Sequence, residues 1–175
     1  MINLSNPGGG DFEPLGGASG FVTEIHQVVK ELSIFESFTL ADHRLLCDYM
    51  VCFGTGKDVT LLSEGTTGDF LVIILTGEVA VIKESDETGK RLVVRVGPGG
   101  VLGEMSLIDG QPRSASCLTT QPTDFAVLTR HKLNAILAEH PPLGTKVLLL
   151  LLQLLTSRLR DTTTRMLPTI PSQAI

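Results

Sequence analysis

Between Val51 and Thr129 apolar residues come in short runs, each closed by a glycine-containing break, whereas on both sides of this span they recur every three or four positions. The breaks "FGTGKD", "SEGTTGD", "LTGE", "ETGK", "VGPGG" and "IDGQP" return every eight to twelve residues. The runs they separate, "DVTLL", "FLVIIL", "EVAVIK", "RLVVRV", "SASCLTT" and "DFAVLT", are rich in the β-branched residues that a pleated sheet accommodates. Short strands at this spacing predict a small antiparallel β-barrel or jelly roll.

The flanks read as helix. "TEIHQVVKEL" has a cap candidate at Thr23 and Ile25, Val28, Val29 and Leu32 at helical spacing. "FTLADHRLLCDYM" sets Thr39 three residues before Asp42, a capping box, with Leu45, Leu46 and Tyr49 following and an end near Met50. After the strands, Leu133 to Ala138 returns to helical spacing, Pro141-Pro142 breaks it, and a long helix runs from about Leu143 to Met166. In that last helix Leu148, Leu152, Leu155, Leu159, Thr162 and Met166 form a heptad seam, and Val147, Leu151 and Leu154 a second apolar face. One face can pack on the barrel while the other meets a second copy, predicting a symmetric homodimer through the C-terminal helix. The fold class is therefore α+β, mainly β. A flexible Gly/Pro-rich tail is expected over 1–20, one domain over 21–166 (helices 21–50, barrel 51–129, C-terminal helices 131–166) and a tail over 167–175.

Length and composition limit what such a domain does. The chain has 175 residues, 42% hydrophobic and 19% charged, which suits one domain with a real core. An aromatic share of 5% without Trp leaves little to stack on bare bases, and a net charge of −5 with scattered Lys and Arg disfavours a polyanion surface. Cys47, Cys52 and Cys117 form no CxxC pair, which fits a reducing compartment and cytoplasmic location. His26, His43, His131 and His140 lack metal-ligand spacing, so no metal is expected. The N-terminal stretch has no basic-then-apolar signal pattern. "KVLLLLLQLL" offers nine consecutive residues from Val147 to Leu155, including Gln153, where a spanning helix needs about 20 apolar ones. No membrane span is expected.

The chemistry concentrates in "GEMSLIDGQPRSAS", residues 103 to 116, where Glu104 and Arg113 stand in an otherwise small and neutral stretch. With "LLSEGTTGDFLVIILTGEVAVI", which has Gly65 and Gly77 at its turns, and the weaker "SRLRDTTTRM", this string resembles the cyclic nucleotide-binding domain of catabolite-activator-type regulators and of cyclic-AMP-dependent kinase regulatory subunits. The resemblance covers roughly residues 30 to 165 and implies that "GEMSLIDGQPRSAS" is a phosphate-binding cassette.

The residue types suit that role. A cyclic nucleotide carries one phosphodiester charge and one free ribose 2′-hydroxyl, so a selective site needs a cation and a hydrogen-bond acceptor. The planar fork of Arg113 can donate two parallel bonds to phosphate, and Glu104 can accept from the hydroxyl. Gly103 allows close backbone approach, "GEMSLI" predicts a short helix whose first N–H groups face the phosphate, and Ser114 with the Ala115 backbone completes the cradle. The expected ligand site is Gly103, Glu104, Met105, Ser106, Arg113, Ser114 and Ala115, with Thr162 and Thr163 joining as base-reading residues by the resemblance.

The Thr162-Thr163 match favours cyclic AMP over cyclic GMP, although Ser114 keeps both open. In regulators of this type a helix-turn-helix domain follows the dimer helix; "LPTIPSQAI" offers no recognition helix, so DNA binding is not expected, and the output is a change read by an unknown downstream protein. The alternative is an interaction module of the same fold that leaves the pocket unused or binds a cyclic dinucleotide. No nucleophile triad, GxSxG, P-loop or paired catalytic carboxylates stand out, which points away from an enzyme.

Overall fold

Between Val51 and Thr129 the chain forms eight strands: β2 (Val51–Thr55), β3 (Thr60–Leu62), β4 (Phe70–Ile74), β5 (Val79–Ser85), β6 (Gly89–Val96), β7 (Val101–Leu102), β8 (Ser116–Thr119) and β9 (Thr123–Thr129). These come from a computed structural model that describes residues 12–30, 35–85 and 89–166. With β1 (Glu13–Gly17) ahead of them, pairing is antiparallel throughout, in two sheets ordered β1-β2-β9-β4-β7 and β3-β8-β5-β6. The architecture is thus a two-sheet jelly roll with free edges rather than a closed barrel.

Two cores explain the hydrophobic pattern. Val72 and Ile74 of β4, Phe125 and Val127 of β9, and Val79, Cys117 and Leu62 from the other sheet fill the space between the sheets. Leu71, Ile73, Ala126 and Leu128 point the opposite way, against the helices. The "FLVIIL" run shows no alternation because β4 is buried on both faces.

Strand β1 (Glu13–Gly17) corrects the tail expected over 1–20. It pairs with β2, Gly17 opposite Val51 and Glu13 opposite Gly54, and leads into a 3₁₀ turn (Ala18–Phe21) whose Ala18 is fully buried. All five β1 residues are exposed, so "EPLGG" has no inward-facing residue to betray it; its contribution is backbone hydrogen bonding at a sheet edge. Helix α1 (Val22–Val29) begins before Thr23, which lies within it and is not its cap. Leu32 and the tails 1–11 and 167–175 lie outside the described residues.

Helix α2 (Leu40–Cys47) starts at the expected capping box, with Asp42 N donating to Thr39 Oγ1 at 3.2 Å and Thr39 N to Asp42 Oδ2 at 2.7 Å, and stops at Cys47, short of Met50. Helix α4 (Arg130–Glu139) is capped by Thr129, and α5 (Pro141–Met166) starts directly at the proline pair, which takes the first helical turn and costs no N–H there. Leu143, Val147, Leu150 and Leu151 anchor α5 in the helix-side core, while Leu148, Leu149, Leu152 and Leu159 are exposed, Leu152 by 60% and Leu159 by 67%. By length and composition alone, Pro141–Thr164 is apolar enough to cross a membrane, with mean hydropathy 1.2, which the count of nine consecutive residues did not anticipate. Here its inner face belongs to the domain core.

Candidate functional site

A cavity of about 620 Å³ opens between β5, β6, the segment 102–117 and the outer half of α5. Its apolar wall includes Val81, Val94, Val96 and Leu102. The polar wall is built on α3 (Glu104–Asp109), a short helix set between Gly103 and Gly110, both left-handed at φ +82 and +72. Only glycine suits Gly103, since a Cβ there would also lie 2.5 Å from Arg113 Nη1.

Arg113 is 4% exposed and held from all sides by neutral groups. Its Nη1 donates to Gly103 O at 2.7 Å and its Nη2 to Phe70 O at 2.7 Å, with the guanidinium 4.7 Å from the Phe70 ring centroid. Its backbone N donates to Thr66 O, and its carbonyl accepts from Gly65 N, both at 2.8 Å. Burial lowers the Arg113 pKa from the ordinary arginine range, but guanidinium is too basic to lose its proton. Among the described residues no carboxylate forms a salt bridge with it. The result is a fixed cation on the cavity wall with N–H donors to spare, an arrangement that can receive an anion.

Glu104 is its complement. It is 1% exposed; Oε1 accepts from Nη1 of Arg158, which reaches across from α5 and also donates through Nη2 to Val101 O. Among the described residues the other oxygen, Oε2, is buried without a hydrogen-bond partner. An unpaired buried carboxylate oxygen costs about 1–3 kcal/mol or more, and a hydroxyl brought by a ligand relieves that cost.

Eight of the nine expected site residues meet at this cavity: Gly103, Glu104, Met105, Ser106, Arg113, Ser114, Ala115 and Thr162. Thr163 does not line it; its hydroxyl donates back to Leu159 O at 2.9 Å, while that of Thr162 donates to Arg158 O at 2.8 Å. Ser114 Oγ lies 3.8 Å from Met105 Sδ, and its carbonyl accepts from Lys83 Nζ at 2.7 Å. Lys83 also pairs with Glu64 at 2.5 Å, fixing the cassette from outside.

Sequence reasoning missed Lys83, Arg158 and Asp161, which also line the cavity. Arg158 had a usable signal: it sits in "SRLRDTTTRM", four residues before Thr162 and so on the same helical face. Lys83 had none, being one polar position in an alternating strand. Cys117 is in the wall with its thiol pushed up to about 12 by burial, so it is an inert packing residue rather than a nucleophile. Among the described residues no group of three or more His, Cys, Asp or Glu is placed to hold a metal ion.

Residues 56–140 match the cyclic nucleotide-binding domain. A cyclic nucleotide-binding domain from Methylobacillus flagellatus is 48% identical and superposes with a TM-score of 0.84 over 94% of this chain and 93% of that one. The chain belongs to the cyclic nucleotide-binding domain family. It is also 31% identical over 103 residues to the CRP-like cAMP-activated global transcriptional regulator of Mycobacterium tuberculosis, a match covering 59% of this chain and 44% of that regulator. The regulatory domain of Toxoplasma gondii PKA, solved with cAMP, is 28% identical with a TM-score of 0.60 over 67% of this chain and 44% of that one. The chain thus matches less than half the length of the curated regulators it resembles.

Proposed function

We propose that this domain is a receptor for a cyclic purine mononucleotide, with cyclic AMP as its first ligand, and that it acts by regulation rather than by catalysis. The observation that carries the reading is the meeting, in one cavity, of a buried guanidinium with no salt bridge and a buried carboxylate oxygen with no hydrogen-bond partner among the described residues. A cyclic phosphodiester meets the first need, through the remaining Arg113 donors and the Ser114 and Ala115 segment. A ribose 2′-hydroxyl meets the second, at Glu104 Oε2. Three or four charge-assisted bonds of about 1.5–3 kcal/mol, with some purine burial, are enough for a micromolar ligand at roughly −8 kcal/mol. Thr162, on the α5 side, supports adenine as the base.

Signalling in this reading runs through Arg158. It ties α5 to the carboxylate that receives the ribose, so ligand and α5 position share a contact and bias one equilibrium. The exposed leucines of α5 form the surface for a second copy, and a protein partner in the cytoplasm reads the resulting change; direct DNA contact by the chain plays no part in the proposal.

A thermal melt with cyclic AMP, cyclic GMP and a cyclic dinucleotide tests the reading, beside Arg113→Ala. Ligand at 100 times Kd adds about 2.7 kcal/mol, a rise of roughly 5–11 °C for a domain of this size. A rise with a cyclic mononucleotide that disappears in Arg113→Ala is the expected result. No rise with any nucleotide leaves a protein-interaction module of the same fold, and a rise with the dinucleotide alone reassigns the ligand.

A further inference from the structure

Strand β5 carries a cation to the cavity beside the end of the cassette. Val79, Ala80, Val81 and Ile82 of β5 lie opposite Thr119, Leu118, Cys117 and Ser116 of β8, so the next pair in that register is Lys83 with Ala115. Side chains alternate along a strand, which puts Lys83 on the face of Val81 and Ala115 on the face of Cys117, and all four line the cavity. The Lys83 ammonium donates to Glu64 Oε1 at 2.5 Å and to Ser114 O at 2.7 Å. Glu64 is itself anchored, its N donating to Ser116 Oγ at 2.9 Å and its Oε2 accepting from Glu84 N at 3.0 Å. An ammonium has three N–H donors, and among the described residues the third has no hydrogen-bond acceptor.

Given the cyclic-nucleotide reading, we infer that Lys83 is a ligand residue: a second cation, which gives its third N–H to the phosphate oxygen turned away from Arg113. A cyclic phosphodiester spreads one charge over two exocyclic oxygens that point in different directions. Arg113 is pinned by Gly103 O and Phe70 O, so its rigid fork meets the phosphate from one side and does not wrap around both oxygens. The second oxygen is left to the segment 114–115, where Lys83 stands beside Ala115 and already touches Ser114 O. An ammonium on a flexible four-carbon stem suits this place, because it can turn a donor to the ligand while Glu64 keeps it from swinging into solvent. Two oxygens that share one charge thus acquire different partners, a planar fork from the cassette and a point charge from β5. The site therefore reads the phosphate as a chiral group, one residue to each oxygen. Nothing in "EVAVIK" announces this, because Lys83 becomes a neighbour of the cassette only through the pairing of β5 with β8.

Sulfur in place of one exocyclic oxygen of cyclic AMP gives two diastereomers, each with a weakened acceptor at one oxygen only. Titration calorimetry of the full chain with cyclic AMP and both phosphorothioates, in the unaltered protein and in Lys83→Met, separates contact with the ligand from mere bracing of the cassette. Lys83→Met is expected to weaken cyclic AMP about fivefold, less than a buried charge-assisted bond is worth, because the lysine side chain is 51% exposed. The ratio of the affinities for the two diastereomers is expected to change at least about threefold, since only one of them has lost the acceptor that Lys83 uses. A lysine that only holds the cassette in shape lowers both alike and leaves the ratio where it was. Melting of the ligand-free variant checks its fold; should Lys83→Met melt lower, Lys83→Gln, which keeps a donor for Ser114 O without the charge, carries the same test. An unchanged ratio in a folded variant overturns the inference and leaves the receptor reading standing. Absence of binding by every nucleotide, in the unaltered protein, overturns both.

Discussion

Two glycines that look alike in the sequence have different work in the structure. Gly68 has ordinary backbone angles, but a Cβ there would fall 2.4 Å from Arg113 Nη2, 2.5 Å from Nε and 2.6 Å from Cζ. The guanidinium cannot withdraw without giving up Phe70 O and Gly103 O, so Gly68→Ala should displace the cation and lower cyclic-nucleotide affinity at least about tenfold, measured by calorimetry, with the fold retained. Gly77 is left-handed at φ +79, and a Cβ would approach the Pro122 carbonyl oxygen at 2.3 Å and Thr123 Cα at 2.9 Å. Here the obstacle is backbone, so Gly77→Ala should cost more than about 2 kcal/mol in denaturant-derived stability. The same contrast governs how much of the site was legible. Glu104 and Arg113 could be read because both lie in one string with residue types matched to one ligand. Arg158 is 54 positions from Glu104, and that among the described residues Glu104 Oε2 has no hydrogen-bond partner and Arg113 no salt bridge became visible only once the chain had folded around them.

At the scale of elements, local signals were readable and remote ones were not. The Thr39–Asp42 box marked α2 because both partners lie within one turn, and the two-faced burial of β4 left a continuous apolar run. Strand β1 left no trace, since its fit depends on the free edge of β2 and not on its own side chains. Equally silent was the contact between α1 and α2, where His26 Nδ1 and His43 Nδ1 lie 2.8 Å apart. His43 is 1% exposed, stacks on Phe38 at 5.5 Å, packs near Phe35, and among the described residues has no partner for Nε2. Burial lowers its pKa first, His26 and Lys146 add to that, and Asp42 opposes them. The folded chain therefore takes up a proton at His43 less readily than the unfolded one, so stability is full above the usual histidine value of about 6.5 and declines as pH falls below it. Asp42 behaves as a second step. Bonds from Lys146 and Thr39 outweigh burial and hold its pKa at about 2, so its contribution persists to about pH 4 and is lost between there and about pH 2. Urea midpoints between pH 7.5 and 5 should fall for the natural chain and stay nearly level for His43→Phe; an equal decline in both would assign the loss to other groups.

The whole molecule concentrates its unresolved needs on one helix. The inner face of α5 completes the core, its outer half supplies Arg158 and Thr162 to the cavity, and between these roles Leu148, Leu149, Leu152 and Leu159 stand exposed. A run of exposed leucines on a helix already fixed by its other face suits self-association, because a second copy offers the same stripe. Burying a leucine contributes about 1.5–3 kcal/mol, and in a two-fold pair each position counts twice. Leu152→Glu should therefore weaken dimerisation at least about a hundredfold in sedimentation equilibrium without lowering the melting temperature of the monomer. Reciprocity makes this more than a question of assembly. If the proposed dimer forms and cyclic nucleotide shifts α5 through Arg158 and Glu104, nucleotide must change the dimer dissociation constant, and the monomeric variant must then bind nucleotide with an affinity different from that of the unaltered protein. Equal nucleotide affinity in monomer and dimer would separate the seam from the switch and confine the effect of the ligand to the cassette.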